Sequence, residues 1–134
     1  MILKASLTDF EILNKLDEHI AREELRLSII NERIYVYKKN GSIIGWLRYN
    51  LFWDNTPFMN MLYVLAEYRG KGYGKELVKR FEEDMLKAKH FKVMTSTLEC
   101  ENAKDFYYHL GYEKVGGFYP IKEEYELILM KNLV

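Results

Sequence analysis

Residues Tyr68 to Leu77, reading YRGKGYGKEL, carry the clearest chemical signal in the chain. Gly70, Gly72 and Gly74 alternate with Lys71, Tyr73 and Lys75. An apolar run precedes them and an amphipathic helical pattern follows. Glycines at a strand-to-helix junction let backbone approach a ligand closely. The first amides of the helix lack intrahelical partners, and the helix dipole adds partial positive charge there. Such a place suits a phosphate or pyrophosphate.

Three familiar phosphate loops fail the comparison. A P-loop needs a hydroxyl after its Gly-Lys pair, and here Gly74-Lys75 is followed by Glu76. A dinucleotide fingerprint, G-x-G-x-x-G, fits Gly70 and Gly72 but meets Lys75 at its third glycine. A kinase glycine loop joins two strands and needs partner motifs that are absent.

The elements that must position this loop are legible from periodicity. Ile2 to Ala5 reads as a first or edge strand. Thr8 or Asp9 is expected to cap a helix carrying Phe10, Leu13, Leu16, His19 and Ile20. A second helix spans Glu23 to Asn31. Arg33 to Lys38 alternates as a strand, and Lys39-Asn40-Gly41-Ser42 is a hairpin turn, since Asn-Gly tolerates positive φ. Ile43 to Phe52 returns as a long strand with Gly45 as a bulge or close-approach site. Asp54-Asn55-Thr56-Pro57 reads as the next turn, and Phe58 to Ala66 as a strand apolar on both faces from Met61 on, as a central strand would be.

Beyond the glycine loop, Leu77, Val78, Phe81, Met85 and Ala88 share one helical face. Phe91 to Leu98 is a strand and Glu101 to Leu110 a shorter helix, which Gly111 ends. Glu113 to Phe118 and Glu124 to Met130 form a final strand pair. The order β-α-α-β-β-β-α-β-α-β-β, with a strand–helix–strand crossover over residues 58–98, implies a mixed α/β fold. Its central sheet is mostly antiparallel, with helices on both faces.

Composition narrows the setting. A length of 134 residues with 49% hydrophobic content suits a single domain, 1–134, with a real core. Twenty basic and twenty acidic residues balance. That argues against a chain that grips nucleic acid electrostatically. The lone Cys100 cannot close an internal disulfide, and His19, His90 and His109 lack ligand spacing, so no structural metal is expected. No stretch approaches ~18 apolar residues. The expectation is a cytoplasmic protein without membrane attachment.

The positive fit to the loop is R-x-x-G-x-G at Arg69, Gly72 and Gly74, after Leu62-Tyr63-Val64. Here the chain resembles the GCN5-related N-acetyltransferase superfamily. Residues 103–112 are similar to that family's A-x-x-F-Y-x-x-x-G-[FY] segment at Ala103, Phe106, Tyr107, Gly111 and Tyr112. The order of elements resembles that fold along nearly the whole chain, and would make 1–134 one N-acetyltransferase domain.

The resemblance implies acetyl-CoA as acyl donor and cosubstrate. The pyrophosphate would lie on the amides of Arg69, Gly70, Lys71, Gly72, Tyr73, Gly74 and Lys75. Arg69 is expected to contribute backbone rather than its guanidinium. The pantetheine arm would bond the backbone of Leu62, Tyr63 and Val64, with the Val64 amide a candidate for polarising the thioester carbonyl. Tyr107 stands where the family commonly has a tyrosine near the CoA sulfur, and is the candidate acid. One departure is that Cys100 occupies the position of a common CoA-contacting asparagine, with Asn102 two residues on.

Acetyl transfer to an amine needs a deprotonated nucleophile, a polarised carbonyl and a proton for the leaving thiolate. Direct attack needs no enzyme nucleophile. Glu23, Glu24, Glu67, Glu99 and Glu101 are open as bases, and none is singled out. The acceptor is a primary amine on a small molecule or on a protein or peptide. Trp46, Tyr49, Phe52 and Trp53 can line a pocket, fill the core or build a homodimer interface. Two rival functions share the scaffold: a non-catalytic acyl-CoA sensor and a nucleotide-binding module.

Overall fold

The computed structural model describes residues 1–134. Its strands are β1 (Ile2–Lys4), β2 (Ile34–Lys39), β3 (Ser42–Phe52), β4 (Thr56–Val64), β5 (Lys92–Leu98), β6 (Glu113–Phe118) and β7 (Glu126–Asn132). Its helices are α1 (Phe10–Leu16), α2 (Arg22–Ile30), α3 (Tyr73–Lys87) and α4 (Ala103–His109), with single 3-10 turns at Leu7–Asp9 and Ala66–Tyr68. One sheet has the order β1-β2-β3-β4-β5-β7-β6. The β4–β5 pair is parallel, and the β1–β2, β2–β3, β5–β7 and β6–β7 pairs are antiparallel. The expected mixed α/β fold, its element order and its 58–98 crossover are all present.

The chain divides into two compact units. In the first, Met1–Asn50 with Met61–Phe81, the core joins Leu13, Leu25 and Ile29 of α1 and α2 to Ile34, Val36, Ile43 and Trp46 of the sheet. Tyr49 meets Phe81 of α3 with ring centroids 5.1 Å apart. Asn40 and Gly41 take φ of 52° and 80°, as the hairpin reading requires. Tyr37 pairs with Gly45 while Lys38 pairs with Ile43, so Ile44 is the extra residue of a bulge. Gly45 is also a close-approach site, because a Cβ there would sit 2.9 Å from the Tyr63 carbonyl oxygen.

A buried polar cluster holds the end of α1 in this unit. The Asp17 carboxylate accepts from Trp46 Nε1 at 3.1 Å, from Arg48 Nε at 2.7 Å and from the His19 amide at 3.1 Å. Burial disfavours the charged carboxyl. The Arg48 bond and charge, the His19 amide and the Trp46 indole together still hold its pKa below the usual carboxylate value.

The second unit is Leu51–Asn60 with Glu82–Val134. Its buried residues include Met59, Val93, Met94, Leu127 and Leu129 and the rings of Tyr107 and Tyr112. Glu82 accepts from the Tyr112 hydroxyl and from Lys131 Nζ, both at 2.8 Å. Gly111 closes α4 at φ 95°.

Several local expectations need correction. The Asp9 carboxylate does not cap a first-turn amide of α1; it reaches back to the Ser6 amide at 2.9 Å. The first helix ends at Leu16, short of His19 and Ile20, where Asp17 turns into the sheet cluster. The turn placed at residues 54–57 lies two residues earlier: the Asn55 amide donates to Phe52, Trp53 and Asp54 take positive φ, and β4 already begins at Thr56. From Met61 on, β4 is only partly buried, and Tyr63 is 40% exposed. Its pairing with β5 is confined to Phe58↔Met94 and Met59↔Thr95.

Candidate active site

Of the three loop glycines, Gly74 lies within α3, and Gly70 and Gly72 precede it. At the end of β4 the Leu65 amide donates to the Ile44 carbonyl at 2.8 Å. The 3-10 turn follows, and then Gly70 and Gly72 take φ of 76° and 88°. Both conformations lie in the left-handed region where a Cβ is penalised. The Glu76 amide bonds to the Gly72 carbonyl at 3.0 Å, which makes Gly72 the N-cap residue of α3. Lacking a side chain, Gly72 cannot cap the amides of Tyr73, Gly74 and Lys75. A Cβ on Gly70 or Gly72 would meet no atom within 4 Å. The loop is therefore an open cradle of amide donors, with Arg69, Lys71 and Lys75 exposed around it.

Two residues of this region escaped the sequence reading. Lys39 Nζ donates to the Tyr73 hydroxyl at 2.9 Å. Tyr37 sets its ring edge-on to Tyr73 at 4.8 Å. Its hydroxyl bonds to Glu76, which pushes the Tyr37 pKa up to about 12. Glu76, the residue that spoils the P-loop pattern, is thus turned toward β2. No sequence signal ties β2 to a helix start more than thirty residues away.

Leu62 and Val64 are half-buried on β4, while Tyr63 packs its ring on Trp46 with centroids 5.0 Å apart. The Arg69 side chain turns back from the loop onto β4. Its Nε donates to the Val64 carbonyl at 2.8 Å, and its guanidinium lies 5.0 Å from the Tyr63 ring centroid. Leu62 to Val64 and the loop are thus brought together within the first unit.

Tyr107 is placed within the second unit. It is buried, with 7% of its surface exposed, and packs edge-on to Tyr112 at 5.5 Å. Burial pushes the phenol up to about 12, partly offset by a hydrogen bond with Thr95. Thr95 Oγ1 itself donates to the Met59 carbonyl at 2.9 Å. Tyr107 is therefore fixed beside the last rung of the β4–β5 ladder. Tyr108, its neighbour in the chain, is exposed.

Cys100 is exposed, and Asn102 stands at the N-cap position of α4. Among the open carboxylates, Glu23 is bonded to Arg26, which lowers its pKa and makes it a poor base. Glu24, Glu67, Glu99 and Glu101 are exposed. Trp46 belongs to the core, whereas Trp53 is 80% exposed at φ 55°.

The chain is similar to known proteins along most of its length. Residues 3–112 match the model of the Acetyltransferase (GNAT) family. An S-alkylcysteine N-acetyltransferase of Bacillus subtilis (strain 168) is 27% identical over 127 residues, covering 84% of this chain and 71% of the relative. Among solved structures, PaiA N-acetyltransferase from Thermoplasma acidophilum in complex with coenzyme A has a TM-score of 0.83 at 19% identity, over 98% of each chain. A chain of the NatC complex bound to Gag peptide and CoA has a TM-score of 0.85 at 20% identity, over 100% of this chain and 98% of the other. These two share the fold. With the family match running from β1 through the glycine loop to Tyr107 and Gly111, the chain belongs to the GNAT family of acetyltransferases.

Proposed function

We propose that residues 1–134 act as one domain that transfers an acetyl group from acetyl-CoA directly to a primary amine. The observation that carries the donor assignment is the open cradle. Gly70 and Gly72 hold left-handed backbone at the start of the 15-residue helix α3, with free space where side chains would stand. A diphosphate accepts hydrogen bonds from such amides, and the helix dipole favours its charge. The Leu62–Val64 backbone would take the pantetheine amides. The relatives crystallised with CoA support the same donor.

In the proposed reaction the amine lone pair attacks the thioester carbonyl carbon, and the C–N bond forms as the C–S bond breaks. The Val64 amide would donate to the oxygen as it gains charge. Tyr107, held protonated by its burial, would supply the proton taken up by the departing sulfur. The amine proton leaves to solvent, and solvent returns a proton to the Tyr107 oxygen. The acceptor is a small molecule, as the S-alkylcysteine relative's name suggests, or a peptide amine.

Calorimetry with acetyl-CoA, CoA and ATP tests the donor. Binding of ATP with no binding of acetyl-CoA would sink the proposal. A panel of amines, including S-alkylcysteines and peptide N-termini, with detection of released thiol tests the activity and names the acceptor.

A further inference from the structure

The Arg69 side chain turns back from the loop onto the strand before it. Nε donates to the Val64 carbonyl at 2.8 Å, and the guanidinium carbon stands 5.0 Å from the centroid of the Tyr63 ring. That ring lies 5.0 Å from Trp46, whose indole N–H donates to the fully buried Asp17 carboxylate. The series Asp17, Trp46, Tyr63, Arg69 thus runs from a buried anchor to the end of β4. Arg69 is the one link contributed by the loop.

We propose that Arg69 is a positioning residue, which sets the loop against the last residues of β4 through the Val64 carbonyl and the Tyr63 ring. It does not serve as a charge partner for a phosphate. The inference rests on the reading that Leu62–Val64 and the loop receive the acyl donor. A guanidinium suits the task because it is planar, stacks on an aromatic face and carries its Nε–H in the same plane. A lysine keeps the charge but has neither the plane nor that donor. A glutamine has a planar amide with N–H donors and no charge. Substitution can therefore separate charge from geometry.

The test compares Arg69→Lys, Arg69→Gln and Arg69→Ala with the parent. Dissociation constants are measured by calorimetry for acetyl-CoA and for S-acetylpantetheine, which lacks the phosphates. The expected result is that Arg69→Lys and Arg69→Ala weaken both donors by a similar factor, about tenfold for a lost charge-assisted bond. Arg69→Gln should retain more affinity than Arg69→Lys. Hydrogen exchange over residues 61–72 of the unliganded protein should speed up in Arg69→Lys and Arg69→Ala. The inference is overturned if Arg69→Lys binds acetyl-CoA like the parent while Arg69→Gln loses acetyl-CoA but not S-acetylpantetheine. Unchanged exchange in both Arg69→Lys and Arg69→Ala overturns it independently of any donor. A parent protein that binds neither donor, yet shows the exchange difference, would remove the donor reading and leave the clamp standing.

Discussion

Gly45 lies against the backbone of Tyr63. A Cβ on Gly45 would meet the Tyr63 carbonyl oxygen at 2.9 Å and Val64 Cγ2 at 3.4 Å. That backbone is the stretch proposed to hold the pantetheine arm, so a core glycine on β3 sets the position of a binding strand. Gly45→Ala should destabilise the protein by about 1–3 kcal/mol, the usual cost of overpacking. It should also weaken acetyl-CoA binding, because the displaced groups belong to the stretch proposed to hold the pantetheine arm. Urea denaturation and calorimetry on the same preparation check both. Unaltered affinity in a destabilised variant would separate Gly45 from the donor strand.

Gly72 and Gly41 form a matched pair. Their φ values are 88° and 80°, and a Cβ on either would meet nothing within 4 Å. Alanine should therefore cost each site a similar amount, about 1 kcal/mol of backbone strain. Only Gly72 borders the amide cradle. Gly72→Ala is expected to weaken acetyl-CoA binding tenfold or more, as loss of a charge-assisted bond implies, while Gly41→Ala leaves it unchanged. Equal affinities in the two variants would take the pyrophosphate off the loop.

The parts of the fold legible in the sequence are those determined by local residue chemistry. Asn40-Gly41 and Gly111 need positive φ and have the residue types that accept it. The turn lies earlier than its sequence reading because Trp53 does not advertise positive φ, whereas Asp54, Asn55 and Pro57 attract a turn reading. β4 looked like a strand covered on both faces because its residues are apolar. Its pairing with β5 nevertheless stops at Met59, a tertiary fact that composition does not carry. Tyr37, Lys39 and the Arg69–Val64 contact were hidden for a related reason. They depend on where side chains turn after distant segments pack.

Tyr107 makes a prediction about pH. An acid must hold its proton, and an ordinary phenol, at ~10, would cause turnover to fall as the pH passes that value. Tyr107 is pushed up to about 12 by burial. At saturating donor and amine, kcat should then stay level through about pH 10.5, with any decline from this group lying higher. Tyr107→Phe should lower kcat about a hundredfold, within the range for general acid catalysis, with the acetyl-CoA dissociation constant unchanged. A folded Phe variant with parental turnover would remove Tyr107 from the chemistry.

Asp17 makes the opposite kind of prediction, about stability. Its side chain is fully buried and paired with Arg48, and its pKa in the folded protein is held below the ordinary carboxylate value. A depressed carboxylate stabilises the fold above its unfolded pKa of ~3.9. That contribution is lost as the pH falls through the lower, folded value. Asp17→Asn leaves Arg48 buried without its counter-charge, at a cost of about 3–5 kcal/mol at neutral pH. Urea denaturation of parent and variant should show that gap at pH 7 and a narrower one once the parent's carboxylate is protonated. A gap that does not change with pH would mean that Asp17 acts through packing and neutral hydrogen bonds, with no part for its charge.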